Sequence, residues 1–205
     1  YDRVDTLALR SINLRKTFNA NKNVERAIVH VSGLGHYNFY LNGERVSKDI
    51  FTPVWSDYDK TVYYNTYQVD SLLVGGENAI GVTLGNGCYN AVGNRYRKLW
   101  ISFGPPTLFF KMHVYYADGT EDVISSDNTW KYTLSPITFN NIYGGEDYDA
   151  RLEQTGWNKP GFDDKSWKPI VLQEAPNGKL RAQQVTNVRS LQEYSAVTMT
   201  KIDSS

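Results

Sequence analysis

The stretch Val24-Glu-Arg-Ala-Ile-Val-His-Val-Ser-Gly-Leu-Gly-His-Tyr-Asn-Phe-Tyr-Leu-Asn-Gly-Glu-Arg-Val46 decides the fold class. Val24–Ser32 reads as a strand, because β-branched residues dominate its second half. Gly33 and Gly35 break it. Tyr37–Leu41 resumes as a strand. Asn42-Gly43 follows at once as the strongest short hairpin signal, since both residues tolerate the positive φ of a tight turn. Arg45-Val46 starts the return strand.

Outward from that hairpin the pattern repeats. Leu14–Phe18 is a first strand, and Phe51–Tyr58 is a loop in which Pro53 blocks a central strand. Val62–Tyr67, Asn78–Leu84, Leu108–Tyr116 and Lys131–Leu134 are further strands. Ala117–Thr120 turns the chain into a partner strand running through Ile124. Val69–Leu73 reads as one capped helical turn closed by Gly75-Gly76. Tyr148–Gln154 reads as short and extended, Gly156–Asp164 is turn-rich, and Val171–Ala175 and Lys179–Ala182 are the last strands expected. Many short strands joined by Gly and Asn turns, with almost no helix, specify an all-β antiparallel β-sandwich of the jelly-roll type. Residues 1–184 form that domain, and 185–205 are a linker or the first strand of the next one.

Composition narrows the function. Across 205 residues, 22 basic and 22 acidic side chains cancel, which gives no footprint for nucleic acid or an anionic membrane. The 14% aromatic content, with 15 Tyr and 5 Trp, suits sheet surfaces and also carbohydrate contact, because these rings pair an apolar face with a polar tip. Cys88 is the single cysteine, so neither an intrachain disulfide nor a cysteine zinc site forms. No apolar run is long enough to span a membrane. The chain starts at Tyr1 without Met or a signal peptide, as a piece of a longer protein would.

Chemistry concentrates in Tyr143-Gly-Gly-Glu-Asp-Tyr-Asp-Ala-Arg151. In an extended segment Glu146 and Tyr148 share one side, and Asp147 and Asp149 the other. Their carboxylates suit calcium or sugar hydroxyls, or else Arg151 ties one down in a local ion pair. Asn42, Asn86, Asn90 and Asn141 carry amides that donate and accept together, as sugar hydroxyls do. Asn42 also fits plain turn chemistry. Asn86 lies at a strand end between two glycines and beside aromatic residues. His30, His36 and His113 have no metal-ligand spacing, and Cys88 reads as a buried, inert thiol. Glu146 and Asp149 meet in principle the separation of glycosidase carboxyls, but a spacing of three does not place them across a cleft.

Four ordered stretches carry a family resemblance: Gly35–Val46, Thr52–Tyr58, Leu84–Tyr89 and Ile142–Arg151, followed by Gly156-Trp157 and Asp163-Asp164 to Trp167. Over roughly Leu14 to Ala182 the chain resembles the N-terminal β-sandwich domain of bacterial α-L-rhamnosidases, the family-78 glycoside hydrolases. The resemblance implies a jelly-roll, galactose-binding-domain-like fold, similar to carbohydrate-binding modules that hold L-rhamnose through calcium. Carried over, it implies carbohydrate contact by Asn86, Tyr89, Asn141, Tyr143 and Glu146, with Asn42 a further candidate, and calcium ligation by Asn86, Asn141 and Glu146. Cys88 departs from the family pattern, where Trp stands between Gly and Tyr and offers a stacking surface. The implied partners are a rhamnose-containing carbohydrate and a helical-barrel catalytic domain of the same parent chain. That barrel holds the family's catalytic carboxylates, so this domain by itself is expected to be inactive. It is expected to bind rhamnose-containing glycans near the catalytic domain, or else to be a scaffold packed against that domain with no sugar ligand of its own. The family implies a periplasmic or extracellular setting.

Overall fold

Side-chain alternation sorts the strands between a shared core and two outer faces. Along Thr107–Tyr116, Phe110, Met112, Val114 and Tyr116 are buried, whereas Phe109, Lys111 and Tyr115 are exposed. The computed structural model describes residues 9–92, 95 and 100–200. It opens with β1 (Ile12–Ala20), β2 (Val24–Leu34), β3 (Tyr37–Leu41), β4 (Glu44–Arg45), β5 (Asp49–Ile50), β6 (Thr61–Gln68) and β7 (Gly76–Leu84). Then come β8 (Asn90–Ala91), β9 (Ile101–Ser102), β10 (Thr107–Tyr116), β11 (Glu121–Ser125), β12 (Lys131–Leu134), β13 (Ile137–Asn141) and β14 (Gly145–Tyr148). β15 (Lys168–Pro169), β16 (Lys179–Ala182) and β17 (Val188–Arg189) complete the series.

Two sheets face each other. One has the order β15-β12-β1-β7-β3-β4, the other β11-β10-β2-β6-β16, and three two-stranded ribbons flank them. Between them lie Leu14, Val29, Val31, Phe39, Ile80, Val82, Phe110, Met112 and Trp130. Phe110 meets Phe39 and Trp130 edge-on, with ring centroids 5.5 and 5.3 Å away, which locks the sheets at mid-height. The Asn42-Gly43 hairpin forms as expected, with φ of 54° and 90°. Gly35 (φ 118°) ends β2 because a side chain there would collide with the Gly85 carbonyl, 2.0 Å from an ideal Cβ.

Several expectations are corrected. Gly33 does not break β2; it stays in register with Leu108. Its missing side chain makes room for Leu84 and Tyr37, each 3.0 Å from where a Cβ would stand. The helical turn at Asp70–Leu72 is 3-10 and has no side-chain cap. Residues 148–154 are not extended: β14 ends at Tyr148, and Asp149 caps a 3-10 turn, Ala150–Leu152, by accepting from the Arg151 N–H. Val171–Ala175 is irregular rather than a strand. The sandwich is antiparallel apart from β16, which runs parallel to β6.

The segment 185–200 turns back on the domain at one place. β17 pairs with β5, and Asp49 binds Arg189 Nε (2.7 Å) and Asn187 Nδ2 (2.7 Å). Residues 201–205, part of the expected linker, lie outside the described residues. Burial pushes the Asp49 carboxyl up, but hydrogen bonds from Ser47, Arg189 and Asn187 outweigh it and leave the pKa below its ordinary value. A depressed carboxylate contributes stability above its unfolded pKa, and that contribution disappears as pH falls through the folded value. The β5–β17 pairing is therefore expected to hold at neutral pH and to loosen below about pH 4, the ordinary carboxylate range. Amide exchange at Val188 and Arg189 across a pH series checks this, and Asp49→Asn should flatten the profile.

Candidate functional site

The expected site residues divide by what their amides already hold. Asn86 is fully buried. Its backbone N–H donates to Asn140 Oδ1 (2.7 Å), and its side-chain nitrogen donates to the Asn140 carbonyl (3.0 Å). Its Oδ1 accepts from Asn90 Nδ2 (2.8 Å). Asn141 is likewise buried: Nδ2 donates to the Val92 carbonyl (3.1 Å), while Oδ1 accepts from the Tyr143 and Gly144 N–H groups (2.9 and 2.8 Å). Together these asparagines clasp the loop after β7 to the β13–β14 hairpin.

Asn42 is committed in the same way, at the other end of the sheet. Its Nδ2 donates to the Leu72 carbonyl and Asn78 Oδ1, and its Oδ1 accepts from the Ala79 N–H. Asn78 and Asn86 are eight residues apart along β7, so roughly 26 Å separates Asn42's neighbourhood from Asn86. Tyr89 is buried, edge-on to Tyr58 (4.9 Å) and close to Phe103 (5.8 Å), and its hydroxyl donates to the Phe103 carbonyl. It packs a satellite core with Leu34, Tyr58 and Val62.

The acidic stretch is also largely paired. Asp147 pairs with Arg95, whose guanidinium lies 4.1 Å from the Phe139 ring. Asp149 binds Arg151 (2.6 and 2.8 Å), which holds its carboxyl down at about 2. The local ion pair with Arg151 is therefore made by Asp149, whereas Asp147 takes Arg95. Tyr143 and Glu146 are exposed on the hairpin, and Glu146 stands opposite Asn140 in register. Asn86, Asn141 and Glu146 are thus neighbours in space. Of the three expected calcium ligands, Glu146 supplies the one carboxylate, Asn86 Oδ1 accepts one protein hydrogen bond and Asn141 Oδ1 accepts two. Among the described residues no group of three or more His, Cys, Asp or Glu side chains gathers to hold a metal.

His36 is half-buried, and desolvation drives its pKa down to about 4, so it is neutral near pH 7. Cys88 is half-buried, and burial raises its thiol pKa.

A cleft of about 410 Å³ lies instead on the outer face of the six-stranded sheet. Its floor is one row of outward side chains: Asn38 on β3, Thr83 on β7 and Asn13 on β1, joined by the register. The next row holds Tyr40, Gly81 and Arg15. Gly81 leaves space for the cover, since a Cβ there would press on Asn158 Cβ and Trp157 Cζ3 at 2.7 and 2.8 Å. Arg15, 2% exposed, pins that cover by donating to the carbonyls of Trp157 and Lys159 (both 2.8 Å) and to Asp164 (3.1 Å). Trp157 meets Tyr40 edge-on at 5.8 Å and stacks on Trp167. Across the cleft, Tyr148 donates its hydroxyl to Glu153, and that bond pushes its pKa up to about 12. The sequence reading missed this site. Its signal was polar residues at outward positions of buried strands, with Gly81 inside one of them.

The structure is a β-sandwich with a polar, aromatic-edged cleft on one outer face. Residues 22–192 match the family model of the α-L-rhamnosidase N-terminal domain, and the chain belongs to that family. It is 42% identical over 185 residues to an α-L-rhamnosidase of Formosa agariphila, covering 88% of this chain and 19% of the relative. A Streptomyces avermitilis α-L-rhamnosidase, solved in complex with L-rhamnose, superimposes with a TM-score of 0.83 at 36% identity, over 88% of this chain and 18% of that one. The Dictyoglomus thermophilum α-L-rhamnosidase gives 0.78 at 41% identity, over 85% of this chain and 19% of that one. A Pleurotus ostreatus lectin, 16% identical with a TM-score of 0.53, shares the fold. The chain therefore spans about one fifth of the length of these rhamnosidases.

The clasp and the hairpin should separate cleanly by mutation. Asn86→Ala strands the Asn90 amide and the Asn140 carbonyl and should cost roughly 1–3 kcal/mol of stability. Glu146→Ala, at an exposed position, should stay within about 0.5 kcal/mol of the parent. Urea denaturation of both variants reads the difference.

Proposed function

We propose that this domain is a non-catalytic part of an α-L-rhamnosidase and that it packs against the remainder of that enzyme. The observation that carries this reading is an apolar series in the C-terminal segment. Val185, Val188, Leu191, Tyr194 and Val197 recur every third residue and are 61, 53, 94, 83 and 98% exposed. Val171, Leu172 and Leu180 are exposed nearby in sequence. Contiguous apolar exposure of this kind marks an interaction surface, and full burial stabilises by roughly 1.5–3 kcal/mol per large side chain. The relatives supply enough further chain to cover it, being about five times longer.

The outer cleft favours a second reading that is compatible with the first. In it, the domain also holds an L-rhamnose-containing glycan beside the catalytic part of the enzyme. The floor amides, the Thr83 hydroxyl and the three aromatic rings at its edges suit a sugar. The solved S. avermitilis relative was complexed with L-rhamnose, which makes that sugar the first ligand to try.

Hydrogen–deuterium exchange of residues 185–199 tests the packing reading. The amides of 191–199, beyond the β17 pairing, should exchange freely in this chain alone and become protected in a full-length enzyme that contains it. Equal exchange in both settings would remove the interface. Leu191→Ser with Tyr194→Ser should lower the melting temperature of the full-length enzyme by a few degrees and leave this chain unchanged.

A further inference from the structure

We infer that the cleft between Trp157 and Tyr148 is a binding site for an uncharged glycoside, with Asn13, Asn38 and Asn158 as its hydrogen-bonding groups. This rests on the second reading above and locates it away from Asn86 and Asn141.

The first argument is an imbalance of hydrogen bonds. Asn13 is 4% exposed, and its Oδ1 accepts from the Thr83 hydroxyl (2.9 Å). Its Nδ2 makes no hydrogen bond among the described residues, which leaves a donor in hand. Asn38 uses its Oδ1 to accept from Arg45 (2.7 Å), which again leaves the amide nitrogen. The Asn158 side chain, half-buried on the cover, makes no hydrogen bond among the described residues. These amides contrast with those of Asn42, Asn86 and Asn141, which the protein itself consumes. On the cleft floor the same residue type has capacity to spare, and a ligand hydroxyl accepts from such a donor.

The second argument is charge. Among the described residues no Lys, Arg or His lines the cleft, and Glu153 is the one lining carboxylate. One of its oxygens accepts from Tyr148, which leaves the other to accept from a hydroxyl. A carboxylated or sulfated sugar would meet a negative charge with no cation to offset it. A neutral polyol would not. This selects an uncharged pyranoside over a uronate.

The third argument is rigidity. The cover is fixed by three hydrogen bonds from one guanidinium, and Trp157 is wedged between Tyr40 and Trp167. Ordering costs on binding are correspondingly small, which matters for a weak ligand. A volume near 410 Å³ falls within the range of small-molecule sites.

The test is titration of this chain with methyl α-L-rhamnopyranoside, followed by amide NMR shifts, with D-galacturonate as the anionic comparison. Paired changes Glu153→Ala and Asn158→Ala fall on exposed and half-buried positions, so the fold should survive and thermal melting should match the parent. Their combined effect on affinity should be tenfold or more, the equivalent of about 1.4 kcal/mol. Tyr143→Ala with Glu146→Ala on the hairpin should leave affinity within twofold, and galacturonate should produce no saturable shifts. Loss of binding on the hairpin change with none on the cleft change would overturn the assignment and keep the sugar reading. Binding of galacturonate as tight as the rhamnoside would overturn the neutral class. No saturable shift with either sugar would remove the cleft and the sugar reading together, while the packing reading would stand on its own exchange test.

Discussion

The outer face of this domain depends on one buried cation. Arg15 points away from the inter-sheet core, where a strand of an antiparallel sandwich would normally meet water, yet it is 2% exposed. Burying a guanidinium is costly unless its donors are matched, and here two carbonyls and a carboxylate match them. Burial lowers its pKa from the usual arginine value, with Asp164 and Glu77 pulling the other way, so it stays charged under ordinary conditions. Asp164 is shared with Lys131 (2.6 Å), one register step away on β12. This network converts the turn-rich run 156–164 from a surface loop into a third layer over half of the sheet. Where the layer stops, the sheet surface is left open as a cleft.

Asparagine illustrates how the same side chain is used in opposite ways. Asn42, Asn86 and Asn141 sit at turns and strand ends, where unpaired backbone groups abound, and their amides satisfy those groups. Asn13 and Asn38 are paired within β1 and β3, where the ladder already satisfies the backbone. Their amides therefore have nothing local to serve. A residue's chemistry is set by what its neighbours still lack, and a strand interior lacks little.

That distinction explains what was legible in the sequence. Strand positions and the Asn42-Gly43 hairpin followed from β-branched runs and positive-φ residues, which are local properties. Gly33 was misread because its reason is tertiary: it admits Leu84 and Tyr37 instead of ending a strand. Ile137–Asn141 went unread because it is short and pairs with β14 in a ribbon outside both main sheets. The site residues marked by turn context were those the fold consumes. Asn13 and Trp157, 144 positions apart in the numbering, meet only through Arg15 and Gly81, and no local pattern announces that contact.

The C-terminal segment closes the logic of the fold. Its first part is held: β16 lies parallel against β6, and β17 is tied to Asp49 by Asn187 and Arg189. Beyond Ser190 the apolar series continues with no strand pairing among the described residues. Polar anchoring followed by apolar exposure gives the segment a fixed departure point and a sticky edge, and the anchor costs little because Asp49 is already buried and bonded within the domain. A free tail would expose those side chains in many directions, whereas a tail anchored at Arg189 presents them from one place. The geometry of any packing against further chain is therefore set within this domain, by the carboxylate of Asp49.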